Sequence, residues 1–252
     1  MINFENIKAV IFDMDGTLVS SMHLWQRLLP DFLKNHGLVA SSEMLARVNY
    51  MSFDQSSPYV VSEFPQLKMT PEEVRAEWME MIYEDYSERV LLKPGAKEFM
   101  LKLREKGIKI AIATACVKKL AEACLENNGV SELIDVITYA EDVGCGKDNP
   151  KIYEMCLKEL GCRADEAILF EDILVPIQTA ARIGLRAVAV EDEAAASERK
   201  EIKKAANMYI RDFRELKSLE GRGTVLSVML FWNCYEPFPT DLPVPYGIRY
   251  RE

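Results

Sequence analysis

Histidine is nearly missing from this 252-residue chain, which holds only two, His23 and His36. A metal cage of several histidines is thereby excluded, and a hydrolase triad would have to recruit one of that pair. Positive charge is also in deficit: 31 Lys plus Arg stand against 40 Asp plus Glu, a net charge of -9 with histidine neutral. Such a balance offers no counterion release, so neither nucleic acid nor an anionic membrane is expected as a partner. No apolar run nears the roughly 20 residues of a spanning helix. The opening MINFENIKAVIF carries Glu5 before a short apolar run, in place of the basic flank and cleavage site of a secretory signal. The six cysteines form no CxxC pair. They read as ordinary reduced thiols of a cytoplasmic protein, Cys116 and Cys145 included, and not as a disulfide framework.

Apolar residues at 49% and charged residues at 28% fit a globular chain. At roughly 100 to 200 residues per domain, its length allows one large or two small domains. Short apolar runs at Ile7–Phe12, Ile108–Ala113, Ile134–Thr138, Ala167–Phe170 and Arg186–Val190 read as buried strands. Helical patterns lie between them. One opens at Pro94-Gly95 and stops at Gly107, and another runs from Val117 to Asn128-Gly129. A third runs from Pro150 to Gly161, and a fourth ends at Gly184. This alternation predicts an α/β, doubly wound, Rossmann-like parallel sheet, whose ligands sit at the carboxyl ends of the strands.

From Leu18 to Leu92 the pattern is helical without strands, and Thr70-Pro71-Glu72-Glu73 spells a helix start. The expected organisation is an α/β core over 1–17 and 93–220, an inserted small α-helical domain over 18–92, and a C-terminal extension over 221–252. In that extension the apolar run Val225–Trp232 is expected to dock on the protein or a second copy, with an extended proline-rich end after it. The Glu- and Lys-rich run Glu191–Glu201 reads as a solvated face.

Asp13-Met14-Asp15-Gly16-Thr17 directly follows the first apolar strand, so two carboxylates leave its carboxyl end one residue apart. Asp-Gly is equally a common turn dipeptide. Thr114 follows the second run, where its hydroxyl and the next main-chain N–H groups, beginning with Ala115, suit a phosphate oxygen; it also suits a helix N-cap. Lys147 lies in Gly144-Cys145-Gly146-Lys147 ahead of a helix, a place where lysine is ordinarily solvated, and Glu171-Asp172 leaves the fourth run. Singly each has a bland reading. Together they fall at the carboxyl ends of parallel strands and would line one crevice. Clustered carboxylates suit a hard cation such as Mg²⁺, which shares itself with substrate phosphates, and the lysine offsets remaining negative charge. That chemistry is phosphoryl transfer. His23 and Trp25, at the start of the insertion, either face substrate or pack as part of an amphipathic helix.

These four ordered motifs resemble those of the haloacid dehalogenase superfamily, in the branch of small phosphatases and β-phosphoglucomutase-like proteins, from about Ile7 to Leu219. The resemblance implies that Asp13 is the nucleophile forming an aspartyl-phosphate and that Asp15 is the general acid/base. It implies further that Thr114 and Lys147 bind the phosphoryl group. The Asp13 and Asp172 carboxylates and the Asp15 main-chain carbonyl would hold Mg²⁺, with Glu171 a nearby ligand or neighbour of the ligands. Segment 18–92 resembles the helical cap that closes over the site and selects substrate. The chain departs from the family pattern at Ser20, Ala115, Ile173, Pro176 and the stretch Asp148–Lys151. The mutase branch carries a histidine ten positions after the second aspartate, where this chain has Trp25.

The expected activity is Mg²⁺-dependent hydrolysis of a small phosphomonoester, a sugar phosphate or nucleotide, by a monomer or weak homo-oligomer. A β-phosphoglucomutase-like phosphomutase is the nearest alternative. A non-catalytic phosphate-binding regulatory module is a further one, although receiver-like domains are about half this length and have no such insertion.

Overall fold

A computed structural model of the chain describes residues 4, 6–48, 51 and 53–216. The run 225–232, expected to dock, and the proline-rich end after it, expected to be extended, lie outside the described residues. Strand β1 (Ala9–Phe12) is buried at all four positions, as an unbroken apolar run requires when helices cover both faces of a sheet. Around it a six-stranded sheet assembles in the order β3-β2-β1-β4-β5-β6, parallel throughout, with β2 (Lys109–Thr114), β3 (Val136–Tyr139), β4 (Ala167–Glu171), β5 (Arg186–Val190) and β6 (Met208–Ile210). The order reverses at β1, whose neighbours are β2 and β4, so the crevice of this doubly wound sheet opens over the carboxyl ends of those three strands.

Five of the six strands match the expected runs within two residues at either end. Thr114 closes β2 instead of following it, and β6 was not expected. Only three residues long and at the sheet edge, β6 has too little apolar sequence to register as a strand. Its register is fixed by Asn207, whose N–H donates to the Ala187 carbonyl (2.9 Å) and whose side-chain oxygen accepts the Ala187 N–H (2.8 Å).

Between β1 and β2 lie α1 (Met22–Asn35), α2 (Ser42–Val48), α3 (Phe53–Glu63), α4 (Pro71–Glu84) and then α5 (Ala96–Glu105), the last of which packs on β2. The start of α4 is the expected capping box. Thr70 Oγ1 accepts the Glu73 N–H (3.2 Å) while the Glu73 carboxylate accepts the Thr70 N–H (2.7 Å), and Pro71 occupies the first helical position. Such a cap stabilises by about 1 kcal/mol. Past Glu84 the helix continues as a single π turn over Asp85–Arg89, closed by the Val90 N–H to Asp85 carbonyl bond (2.8 Å), and this widening turns Tyr86 into the interior. The two chain segments linking insertion to sheet run side by side: the Lys93 N–H donates to the Leu18 carbonyl (2.8 Å) and the Ser20 N–H to the Leu91 carbonyl (3.0 Å). Lys93 is buried and anchors the second segment to the exit of β5 through Asp192 (3.0 Å) and the Glu191 carbonyl (2.5 Å).

Alternation along β1 splits the core. Val10 and Phe12 face the side where Phe99, Phe170 and Phe213 gather and which continues into the insertion, with Phe12 and Phe170 stacked 5.1 Å apart. Ala9 and Ile11 face the other side, covered by α8 (Lys151–Leu160) and α9 (Leu174–Arg182). The remaining helices are α6 (Lys118–Asn127) after β2, the single turn α7 (Ala140–Val143) after β3, and α10 (Arg199–Ala205) before β6. The five described cysteines are free. Among the described residues no helix is long and apolar enough to cross a membrane.

Candidate active site

The chain leaves β1 with the Asp13 N–H still in the sheet, donating to the Phe170 carbonyl (2.9 Å), so the first carboxylate is fixed by strand geometry. Three residues later Gly16 takes φ +82°, a conformation side chains rarely adopt, and a Cβ there would lie 2.9 Å from Asp172 Cγ. Glycine therefore lets the β1 exit lie against the β4 exit. Thr17 completes the contact, its hydroxyl donating to Asp172 Oδ1 (2.9 Å) in the interior.

Lys147 reaches across from the loop between α7 and α8 and donates to Asp13 Oδ1 (2.6 Å) and to Glu171 Oε1. The second oxygen of Glu171 accepts the main-chain N–H groups of Asp172 (2.7 Å) and Ile173 (3.2 Å), which shapes the loop leaving β4. Ile173 and Pro176 fit this shape: Ile173 supplies one of those N–H groups, and Pro176 sits in the first turn of α9, where a helix tolerates proline. Around the lysine, Asn149 Oδ1 accepts the Lys151 N–H (3.0 Å) as α8 begins.

Asp13, Glu171 and Asp172 are all buried, and each offers an oxygen within 4.8 Å of the others. Three carboxylates around one ammonium leave negative charge uncompensated, and a hard divalent cation with oxygen ligands is the species this set could hold. Burial, only partly offset by Lys147 and reinforced by Glu171, pushes the Asp13 carboxyl up to about 7. Burial with the Glu171 and Asp13 charges holds Asp172 well above the carboxylate range. Burial works against a charged Lys147, yet Asp13 and Glu171 outweigh it and hold the ammonium well above its ordinary value.

Asp15 turns away from this cluster. Its Oδ1 accepts from the Ser21 hydroxyl (2.5 Å) and from the Tyr86 hydroxyl, and Tyr86 Oη in turn accepts Trp25 Nε1–H (2.7 Å). The Cys116 thiol lies against the same carboxylate; burial first, then the Asp15 charge, pushes it well above its usual value, so it stays protonated. Thr114 is buried at the carboxyl end of β2, where its hydroxyl accepts the Cys116 N–H (2.9 Å) and bends the loop, leaving Ala115 exposed at its tip. Asp13, Lys147, Glu171 and Asp172 thus gather past the carboxyl ends of β1 and β4, with Asp15 two residues on and Thr114 and Ala115 at the end of the neighbouring strand. His23 is exposed on the first turn of α1. Trp25 packs its ring against Phe53 (5.4 Å between centroids) and spends its N–H on Tyr86.

Residues 10–190 match the family model described as haloacid dehalogenase-like hydrolase. The chain belongs to this family. As a haloacid dehalogenase-like hydrolase it is an enzyme, and its relatives include a phosphorylated carbohydrates phosphatase of Thermotoga maritima, 25% identical over 182 residues covering 72% of this chain and 84% of that protein. Another is the validoxylamine A 7'-phosphate phosphatase of Streptomyces hygroscopicus subsp. limoneus, 26% identical over 71% of this chain and 83% of that protein. Among solved structures, a point mutant of CbbY from Rhodobacter sphaeroides in complex with xylulose-(1,5)bisphosphate superposes with a TM-score of 0.71 at 22% identity, covering 84% of this chain and 97% of that one. The β-phosphoglucomutase of Clostridium difficile gives 0.64 at 20% identity, covering 84% and 93%. At such identities the structures speak for the fold alone.

Three residues of this hydrolase's site carried no assignment from sequence: Thr17, Ser21 and Tyr86. Thr17 lies within the first motif and Ser21 six residues from Asp15, so proximity was the available signal. Tyr86 lies 71 residues from Asp15 in the chain, and nothing in its neighbours Asp85 and Ser87 marks it.

Proposed function

We propose that this chain is a Mg²⁺-dependent phosphatase that hydrolyses a small phosphomonoester, a sugar phosphate or nucleotide, through an aspartyl-phosphate on Asp13, with segment 18–92 as its cap. The observation that carries the reading is the pairing of Asp13 with Lys147 Nζ (2.6 Å) beside Glu171 and Asp172, while Asp15 stands two residues on with its carboxylate turned towards the insertion. The phosphatase names of the relatives support the substrate class.

Asp13 and Asp172, with the Asp15 main-chain carbonyl and Glu171 alongside, would hold Mg²⁺, which supplies charge neutralisation for an anionic nucleophile meeting an anionic ester. Lys147 adds a second positive charge on the Asp13 side, and Thr114 with the Ala115 N–H holds phosphoryl oxygens at the end of β2. An Asp13 oxygen attacks phosphorus. The bond from phosphorus to the leaving oxygen breaks, and that oxygen keeps the electron pair and takes a proton from Asp15. Water then attacks the same phosphorus and gives a proton back to Asp15, and the bond from phosphorus to Asp13 breaks to release orthophosphate. Positioning and electrostatics carry most of such a reaction, which the closing of segment 18–92 over the crevice serves by excluding bulk water.

Hydrolysis is favoured over transfer to a second sugar because Trp25, at the position of the mutase histidine, has its one polar atom committed to Tyr86. The test is orthophosphate release from a panel of phosphorylated metabolites with Mg²⁺ and with chelator. Release is expected with Mg²⁺ alone, and orthophosphate is expected to dominate when β-glucose 1-phosphate is supplied with a catalytic amount of the bisphosphate. No release from any ester would overturn the reading, and glucose 6-phosphate forming about tenfold faster than orthophosphate, a barrier difference of about 1.4 kcal/mol, would replace it with the mutase.

Cation binding should also show in stability. The raised Asp13 carboxyl favours the cation-free fold while protonated, and that contribution is lost as pH rises from the unfolded value of 3.8 through about 7. A cation must displace this proton, so Mg²⁺ should raise Tm more at about pH 8 than at about pH 6. Equal shifts at the two pH values, measured by thermal unfolding with and without Mg²⁺, would exclude Asp13 from the cation site.

A further inference from the structure

The Asp15 carboxylate takes its two hydroxyl donors from the insertion, while the Cys116 thiol from the loop after β2 packs beside it. Its Oδ1 accepts two hydroxyls, from Ser21 (2.5 Å) and from Tyr86, which occupies both lone pairs of that oxygen. The direction of the Tyr86 bond is fixed from further out. Indole nitrogen donates only, so Tyr86 Oη accepts the Trp25 Nε1–H (2.7 Å), and its own hydrogen goes to Asp15 Oδ1, the charged acceptor among neighbours that include the Ser21 hydroxyl and the Cys116 thiol. Tyr86 is 0% exposed and sits on the π turn that ends α4, and Trp25 lies on α1; both rings are in edge contact at 6.1 Å.

We propose that Tyr86, oriented by Trp25, is a positioning residue for the acid/base carboxylate: together with Ser21 it pins Oδ1, with the Cys116 thiol packed beside the group, and so orients Oδ2 to hand the proton to the leaving group. This rests on the phosphatase reading above, in which Asp15 is the general acid. Tyr86 touches neither substrate nor cation in this role.

The leaving group separates positioning of the acid from support of the fold. Nitrophenolate departs without needing a proton, whereas an unactivated alkoxide needs one. For the first, irreversible transfer to Asp13, kcat/KM of Tyr86→Phe should therefore fall at least about tenfold more for an alkyl phosphate than for nitrophenyl phosphate, within the range that a general acid contributes. Phenylalanine keeps the ring and removes the hydroxyl. Trp25→Phe should shift the ratio the same way by less, and the double variant should be no worse than Tyr86→Phe alone, because Trp25 acts through Tyr86. Should Tyr86→Phe fold poorly, Trp25→Phe and Ser21→Ala are expected to show the same ester dependence. Equal losses on the two esters, or additive losses in the double variant, would overturn the assignment while leaving the phosphatase standing. A wild-type protein inactive on both esters would overturn the phosphatase reading, and this assignment with it.

Discussion

Asp13→Asn is expected to lower kcat/KM for nitrophenyl phosphate by about three orders of magnitude or more, about 4 kcal/mol of barrier, while the protein stays folded. The amide has the shape of the carboxylate but lacks a nucleophilic oxygen, so the covalent step has no substitute. Structure should be spared because the Asp13 main chain, not its side chain, joins the sheet through the Phe170 carbonyl (2.9 Å). The buried carboxyl, pushed up to about 7 mainly by desolvation, loses its stabilising contribution as pH rises from the unfolded value of 3.8 through about 7, and a neutral amide has no such loss. The variant should therefore melt no earlier than wild type in cation-free buffer at about pH 8. Mass spectrometry after acid quench should find a phosphoryl adduct on wild type and none on the variant. Wild-type turnover by a folded Asp13→Asn protein would remove the aspartyl-phosphate from the mechanism.

What sequence could and could not show follows from where each contact originates. Strands β1, β2, β4 and β5 are covered on both faces, so they appear as unbroken apolar runs, and in a parallel sheet the residues just past them converge. That convergence makes Asp13, Thr114 and Asp172 readable as one site although more than 150 residues of chain separate the first from the last. Lys147 follows no strand directly; it was readable through its motif, and its aim at Asp13 is a property of the loop between α7 and α8. Tyr86 was out of reach for a different reason. Its approach to Asp15 depends on a π turn, one residue wider than the α-helix that precedes it, and no propensity marks that widening in Asp85-Tyr86-Ser87. The same limit applies to Trp25, whose amphipathic position suits substrate or core alike in sequence and whose N–H ends on Tyr86 in the fold.

Lys147→Met tests whether one ammonium is what allows three buried carboxylates to coexist. The lysine side chain is 10% exposed, and its partners Asp13 and Glu171 are 5% and 0% exposed, so water cannot replace the lost charge. Removing one member of a buried pair typically destabilises by about 3–5 kcal/mol, because the remaining charges are left without compensation. Here the cost should depend on pH. Lys147 is the group that lowers the Asp13 carboxyl from where burial alone would put it, so without the lysine that carboxyl rises further and takes up a proton more readily. A neutral carboxyl needs no partner. The destabilisation should therefore be largest in cation-free buffer at about pH 8 and shrink towards about pH 5, and a saturating divalent cation should recover part of it by supplying the missing positive charge. Activity behaves differently, since the cation cannot occupy the lysine's place beside the attacking oxygen, and kcat should fall by about 10²–10³ even with saturating Mg²⁺. Urea titrations of the variant at both pH values check the first expectation and steady-state kinetics the second. A destabilisation equal at both pH values would mean that Lys147 acts through packing of its methylene chain, and the electrostatic role given to it here would fail.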